Sequence, residues 1–597
     1  GTHIGRSLIF GSIVAALLAS SALVAPAGAE ETPQAQSLAG AFLAAQVAES
    51  DNDLGSAISY YRQALGFDPD NTALKQSLLV ALLSDGRFKD AMPLAESLKK
   101  TPEIERFARV ALAVDAFKSK QYRTAQSLLR LALQSDLDRL ITGSMSAWAL
   151  EGSGKPQDAL AALAKLKGPL WFDLFRSYNA GLVADVAGMK AEADKSYKAA
   201  LDDTEGGGAS PETYERVVVA YASFKARNHD LQGALGVLDT GEKLLPNRPP
   251  FDALRKQIKG GQTPVALVST PQEGAAEVLY SLGTAVNRSG TEIFAKLYLQ
   301  LALALRPDSA STLLQLGDIS EKLKDPDAAV QYYRQVPKDS PYRSISEMRL
   351  SVVLTDLHQE PEAIGLLRGL IKDNPEDMRA YLILGGVYSQ KKDFADAAAN
   401  YDQAVSELAS PSREDWSIFY QRGIAYERLK QWDKAEPNFK KALELYPDQP
   451  QVLNYLGYSW VDMNIHLDQA LDMIRKAVEL SPQDGYIVDS LGWAYYKLGR
   501  YDEAVSELEK AIQLQPEDAT INDHLGDAYW RIGRRLDATF QWSHARDMKP
   551  DPEELAKINE KLQHGLPAAP APAVAKDAKP SEAAPAKVPS LPGTSKT

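Results

Sequence analysis

Small residues recur along this chain at a nearly fixed interval, and that interval limits the fold more than anything else. From Leu491-Gly492 the chain runs through Tyr495, Ala504, Leu508, Ala511 and Pro516. From Leu525-Gly526 the same pattern returns as Tyr529, Ala538, Trp542, Ala545 and Pro550. The step from Gly492 to Gly526 is 34 residues. A unit of that length has room for two helices and a turn, and it cannot bury its apolar face alone. Copies must stack, each touching its neighbours, to make a continuous core. The expected fold class is all-α: a superhelical solenoid of about 14 helix-turn-helix units.

Each unit reads as helix A, a tight turn and helix B. A small residue in helix A lets the next helix approach closely: Gly283, Gly317, Gly385, Gly423, Gly457, Gly492 and Gly526. Another opens helix B: Ala295, Ala329, Ala363, Ala397, Ala435, Ala470, Ala504 and Ala538. A larger side chain four residues on fills the space between helices, as at Tyr333, Tyr401, Phe439, Leu508 and Trp542. Proline, which lacks an N–H and cannot continue a helix, closes the units at Pro307, Pro341, Pro375, Pro447, Pro482, Pro516 and Pro550. Around those prolines, Pro447-Asp448 and Pro516-Glu517-Asp518 are expected to seed the next helix. The N-terminal copies are more worn but keep Ala57, Ala91, Ala125, Ala159, Ala193 and Ala234. Between the sixth and seventh copies, 246–273 breaks the period with Pro249-Pro250, Gly260-Gly261, Pro264 and Pro271. It is expected to be a linker between two superhelical segments. Gly206-Gly207-Gly208 is expected to be a flexible turn, and the Asn464–Leu467 turn to absorb one extra residue.

The predicted organisation is an export signal at 1–29, a degenerate repeat segment at 30–245, the linker at 246–273, a second repeat segment at 274–551, a polar capping helix at 552–564 and a Pro/Ala/Lys-rich disordered tail at 565–597. The signal rests on Arg6, the apolar run Leu8–Leu23 and Ala27-Gly28-Ala29 as a cleavage site. An uncleaved anchor is the alternative, since Leu8–Ala27 is nearly long enough to span a bilayer. Either way the repeats are expected outside the cytoplasm, periplasmic or associated with the outer membrane. The tail's lysines read as solvation, with a cell-wall or membrane-surface role as the alternative.

Composition removes whole classes of chemistry. Among 597 residues there is no cysteine, which excludes disulfides, thiolate catalysis and sulfur-ligated metals. A net charge of −13 argues against a nucleic-acid partner, which would call for a basic stripe. The seven histidines are scattered and none forms an H-E-x-x-H pair on one helical face. His524 and His544 sit in the two helices of one repeat and read as packed or surface groups. Gly152-Ser153-Gly154-Lys155 lacks the rest of a phosphate loop, and Asp51-Asn52-Asp53 reads as an interhelical turn rather than a calcium loop. No catalytic, cofactor or metal site is predicted, and the chain is read as a non-enzyme.

The 34-residue step and the Gly, Ala, aromatic and Pro positions resemble the tetratricopeptide repeat over Leu38 to Pro550. That resemblance implies a concave face built mainly from helix A. In the last four copies the facing positions hold Tyr420, Asn454, Tyr458, Asp489, Trp493, Tyr496, Lys497, Asp523, Asp527, Trp530 and Arg531. Aromatic rings interleaved with Asn, Asp, Lys and Arg suit an extended or helical peptide. The competing reading is that some of these rings pack between repeats. The succession Asn454-Tyr455-Leu456-Gly457-Tyr458-Ser459, Asp489–Tyr496, His524–Trp530 and Trp542 resembles exported bacterial repeat proteins that serve as adaptors for carboxyl-terminal processing proteases. Those adaptors are outer-membrane lipoproteins that hold a serine protease and deliver its substrates. They attach through a lipidated cysteine, which this chain lacks. The resemblance implies a non-catalytic periplasmic adaptor with protein or peptide partners. The alternative is a structural assembly factor in envelope biogenesis or polysaccharide export.

Overall fold

In a computed structural model, residues 32–132 and 134–571 are described. Among them are 31 α-helices and one short 3-10 turn, with no strand. The predicted export signal at 1–29 and the tail beyond residue 571 lie outside the described residues. No helix among the described residues is long and apolar enough to cross a membrane. The described chain forms two compact units, 32–370 and 371–571.

The periodic small residues do what their spacing predicts. A Cβ on Gly492 would lie 2.6 Å from Leu508 Cγ, and one on Gly423 would lie 2.8 Å from Phe439. Ala57, Ala91, Ala125, Ala159, Ala193, Ala234, Ala295, Ala329, Ala363, Ala397, Ala435, Ala470, Ala504 and Ala538 are all fully buried. Tyr61, Tyr197, Tyr333, Phe439 and Trp542 fill the space those residues leave. Helix B ends two residues before Pro447, Pro482 and Pro516. Asp484 and Asp518 then cap the following A helices, accepting from Ile487 N and Ile521 N. In the Pro447-Asp448 turn the cap is Gln449, not Asp448. The Asn464–Leu467 turn absorbs its extra residue with two left-handed positions, Asn464 at φ 54° and His466 at φ 46°.

Two expectations are corrected in the first unit. The stretch 246–273 is not a linker. Proline at the first turn of a helix costs no hydrogen bond, so Pro249 starts the helix Pro249–Lys259 rather than breaking one. Phe251, Leu254, Ile258 and Val268 are buried in a core that runs on through Ile319. The division between compact units falls instead at Leu370–Ile371. Gly206-Gly207-Gly208 lies inside the short helix Thr204–Ala209, with Gly207 pressed against Tyr214 and Leu244.

The same unit fills its own interior. Helices Pro271–Ala285 and Glu292–Leu305 pack against Thr72–Ser84, Glu105–Lys118 and Asp136–Gly152. Gly274 sits on the Trp148 indole, and a side chain there would collide with it. Gln272 Nε2 donates to Phe117 O at 2.8 Å and Gln300 Nε2 to Ser84 O at 3.0 Å. Deeper in, the Arg216 guanidinium grips Glu277 through two bonds of 2.7 and 2.8 Å, and Tyr178 Oη donates to the same carboxylate at 2.7 Å. Burial alone would raise the Glu277 pKa; Arg216 and the Tyr178 hydroxyl reverse that, and the net shift is downward.

Candidate partner-binding groove

In the second unit, the A helices Trp416–Arg428, Pro450–Asp462, Gly485–Lys497 and Ala519–Arg531 present the predicted groove residues. Tyr420 does not belong with them. It is 5% exposed and wedged among Trp416, Phe439 and Tyr455, so it is a packing residue between repeats. This is the outcome foreseen for some of the rings.

Of the remaining residues, Asp489, Trp493, Tyr496, Lys497 and Arg531 are joined by side-chain contacts. Trp493 stacks on Tyr496 with centroids 4.5 Å apart, and on His524 at 3.9 Å. His524 Nδ1 meets Asp489 Oδ1 at 2.8 Å, and both are buried. Burial would lower the His524 pKa; Asp489, Asp523 and Asp527 overcome that and the net shift is upward. Tyr496 Oη accepts from Arg531 Nε at 3.2 Å. The Lys497 ammonium lies 6.0 Å from the Trp493 ring centre, within cation–π reach. Further along the row, Tyr458 is half-buried, and burial with Asp489 and Asp462 nearby raises its hydroxyl pKa. Asn454 Oδ1 is buried without a hydrogen-bond partner among the described residues.

At the last repeat the row is already occupied. The terminal helix Pro552–His564 brings Lys561 Nζ to 2.9 Å from Asp523 Oδ1 and 3.0 Å from Asp527 Oδ2. Asp527 also accepts from Trp542 Nε1 at 2.9 Å. Burial and the adjacent Asp523 carboxylate push Asp527 up to about 6, with Lys561 and His524 opposing. Gly565 turns with φ 67° and ψ −166° against the Trp530 indole. Arg531 Nη1 donates to Pro567 O at 2.6 Å. Residues 565–567, expected in the disordered tail, are therefore seated on the site.

Sequence reasoning named the acidic and aromatic wall and read His524 as a packed or surface group, which the structure finds packed, but missed its contacts with Asp489 and Trp493 and the occupants Lys561, Gly565 and Pro567. His544 stacks on Phe540 instead, with ring centroids 5.8 Å apart. Among the described residues no group of three or more His, Asp or Glu could hold a metal ion. What the wall offers is recognition chemistry: carboxylates for a cation, flat rings for apolar contact, and a guanidinium for a backbone carbonyl.

Comparison with known proteins identifies the repeat. Models of the tetratricopeptide repeat match residues 40–71, 310–336, 356–413 and 416–449, and a TPR repeat model matches 492–533. The chain is a tetratricopeptide repeat protein, of the class that works by binding other proteins. Among curated relatives, the general transcriptional corepressor ssn6 of Schizosaccharomyces pombe is 27% identical over 24% of this chain and 13% of its own length. A TPR repeat-containing protein of Pseudomonas aeruginosa is 25% identical over 31% of each chain. This chain thus spans less than a third of either relative. Among solved structures, a chain of the APC/C hetero-tetramer Cut9-Hcn1 is 14% identical, with 88% of this chain and 96% of that one covered at a TM-score of 0.37.

Proposed function

We propose that the chain is an exported adaptor that seats a segment of a partner protein on the A-helix face of its C-terminal unit. The observation that carries this is the row from Asn454 to Arg531, an aromatic and polar wall that already holds polypeptide at its far end. In the N-terminal unit the A helices Thr72–Ser84, Glu105–Lys118 and Asp136–Gly152 are covered by its own helices Pro271–Ala285 and Glu292–Leu305, which favours the C-terminal row as the surface for partners. Its place outside the cytoplasm rests on the export signal read from Leu8–Leu23 and Ala27-Gly28-Ala29.

The resemblance over Asn454–Trp542 favours a carboxyl-terminal processing protease as the enzyme served. Such an adaptor works by raising the local concentration of substrate beside the protease. Adding the purified chain to an envelope protease of this class should accelerate cleavage of a folded cell-wall hydrolase. The Trp493→Ala/Tyr458→Ala pair should remove most of that acceleration while the melting curve keeps its shape. No acceleration by the unaltered chain with any protease of this class would discard the protease reading.

A further inference from the structure

The segment lying on the last repeat is bound as a ligand would be, and its chemistry can be read off. Lys561 places its ammonium between Asp523 and Asp527, four residues before Gly565. Without that cation the buried Asp489 and Asp527 and the half-buried Asp523 would face His524, an excess of negative charge in a largely buried place. Gly565 adopts a backbone conformation open essentially only to glycine, and any Cβ there would run into Trp530. The next contact is made to backbone, Arg531 on the Pro567 carbonyl, and is blind to side-chain identity.

We propose that the terminal A-helix wall is a recognition site for a partner segment carrying a cationic side chain four residues before a glycine, and that Lys561–Pro567 occupies this site in the free chain as an internal ligand. This rests on the groove reading above and supplies the chemistry of what the groove takes. A partner segment gains access by displacing the chain's own, so engagement is a competition. The internal copy is present at the high effective concentration of a tethered segment, and only a tighter or multiply anchored partner wins. The two contacts that define the site are charge and the absence of a side chain, so each can be removed separately.

The test uses the full chain and a fluorescein-labelled peptide copying 555–571, followed by fluorescence anisotropy. Gly565→Val strands the internal segment by steric clash with Trp530, and Lys561→Glu repels it from Asp523 and Asp527. Either variant should bind the peptide at least tenfold more tightly than the unaltered chain. Adding Asp523→Asn and Asp527→Asn should abolish that binding. An unlabelled peptide of unrelated sequence that keeps only the lysine, the glycine four residues on and the proline should compete, and the same peptide with glutamate for lysine should not. Absence of binding by both variants, with helical content and melting intact, overturns the proposal. So does equal binding by all three chains. If the peptide fails while protease stimulation persists, only this inference falls. If the peptide binds but no protease responds, only the protease reading falls.

Discussion

At the residue scale, this chain is held together by side chains it omits. Gly492 faces Leu508 and Gly526 faces Trp542 closely enough that a β-carbon has no room. Gly492→Val should overpack that interface and cost about 1–3 kcal/mol, seen as a lowered denaturant midpoint for the C-terminal repeats. An unchanged midpoint would contradict the nesting assigned to Gly492. The turn glycines make a different demand. Gly499 and Gly533 are left-handed, at φ 76° and 86°, where Lys392 and Lys430 hold the same turn at φ 62° and 59°. The fold thus accepts strain at some turns and avoids it at others. Lys430→Gly should relieve that strain and shift the midpoint upward by a few tenths to about 1 kcal/mol, the gain being trimmed by the freer unfolded chain. A lower midpoint would mean the Lys430 side chain contributes more than its backbone costs.

At the scale of elements, the helix Pro271–Ala285 and the terminal helix Pro552–His564 show where the sequence was legible and where it was not. Helix identity and the buried face followed from the 34-residue step, because local packing repeats with it. The non-local contacts did not. Nothing in the spacing says that Arg216 will meet Glu277, or that Gly274 will rest on Trp148, since those pairs join elements far apart in sequence. Tyr420 and Trp493 occupy A helices two repeats apart, yet one is core and the other lines the row; an aromatic ring at a facing position does not by itself separate them. Prolines in 246–273 suggested a break, although Pro249 is a helix starter. Glu277→Ala should leave Arg216 buried without its anion and destabilise the N-terminal unit by about 3–5 kcal/mol. Thermal unfolding followed by circular dichroism would show it, and a loss near zero would mean water reaches Arg216 in the fold.

At the scale of the whole molecule, the two units carry buried charge of opposite pH sense. In the N-terminal unit the Glu277 pKa is lowered below its ordinary 4.5. Its contribution is present above that value and is lost as acid protonates it. In the C-terminal unit His524 is raised above 6.5 and Asp527 is raised from 3.8 to about 6. Both hold protons more tightly folded than unfolded, so their contribution is present in mild acid and is lost as pH rises through about 6 and beyond. The groups facing them are Asp489, Asp523 and Lys561, with Trp542 donating to Asp527. Melting of the C-terminal repeats should therefore fall from about pH 4 to about 6 through Asp527 and again above 6.5 through His524, and Asp527→Asn should flatten the first part of that slope. A slope unchanged in that variant would show that Asp527 ionises as freely in the fold as outside it.

The central claim is that partners are received on the A-helix wall of the C-terminal unit, and site-specific photocrosslinking in intact cells tests it most directly. A photoreactive residue at Tyr458 or Lys497 should yield the same partner adduct, while one at Lys440 on helix B or at Gln272 in the filled N-terminal interior should yield none. Adducts formed from Lys440 or Gln272 and absent from Tyr458 and Lys497 would contradict the account.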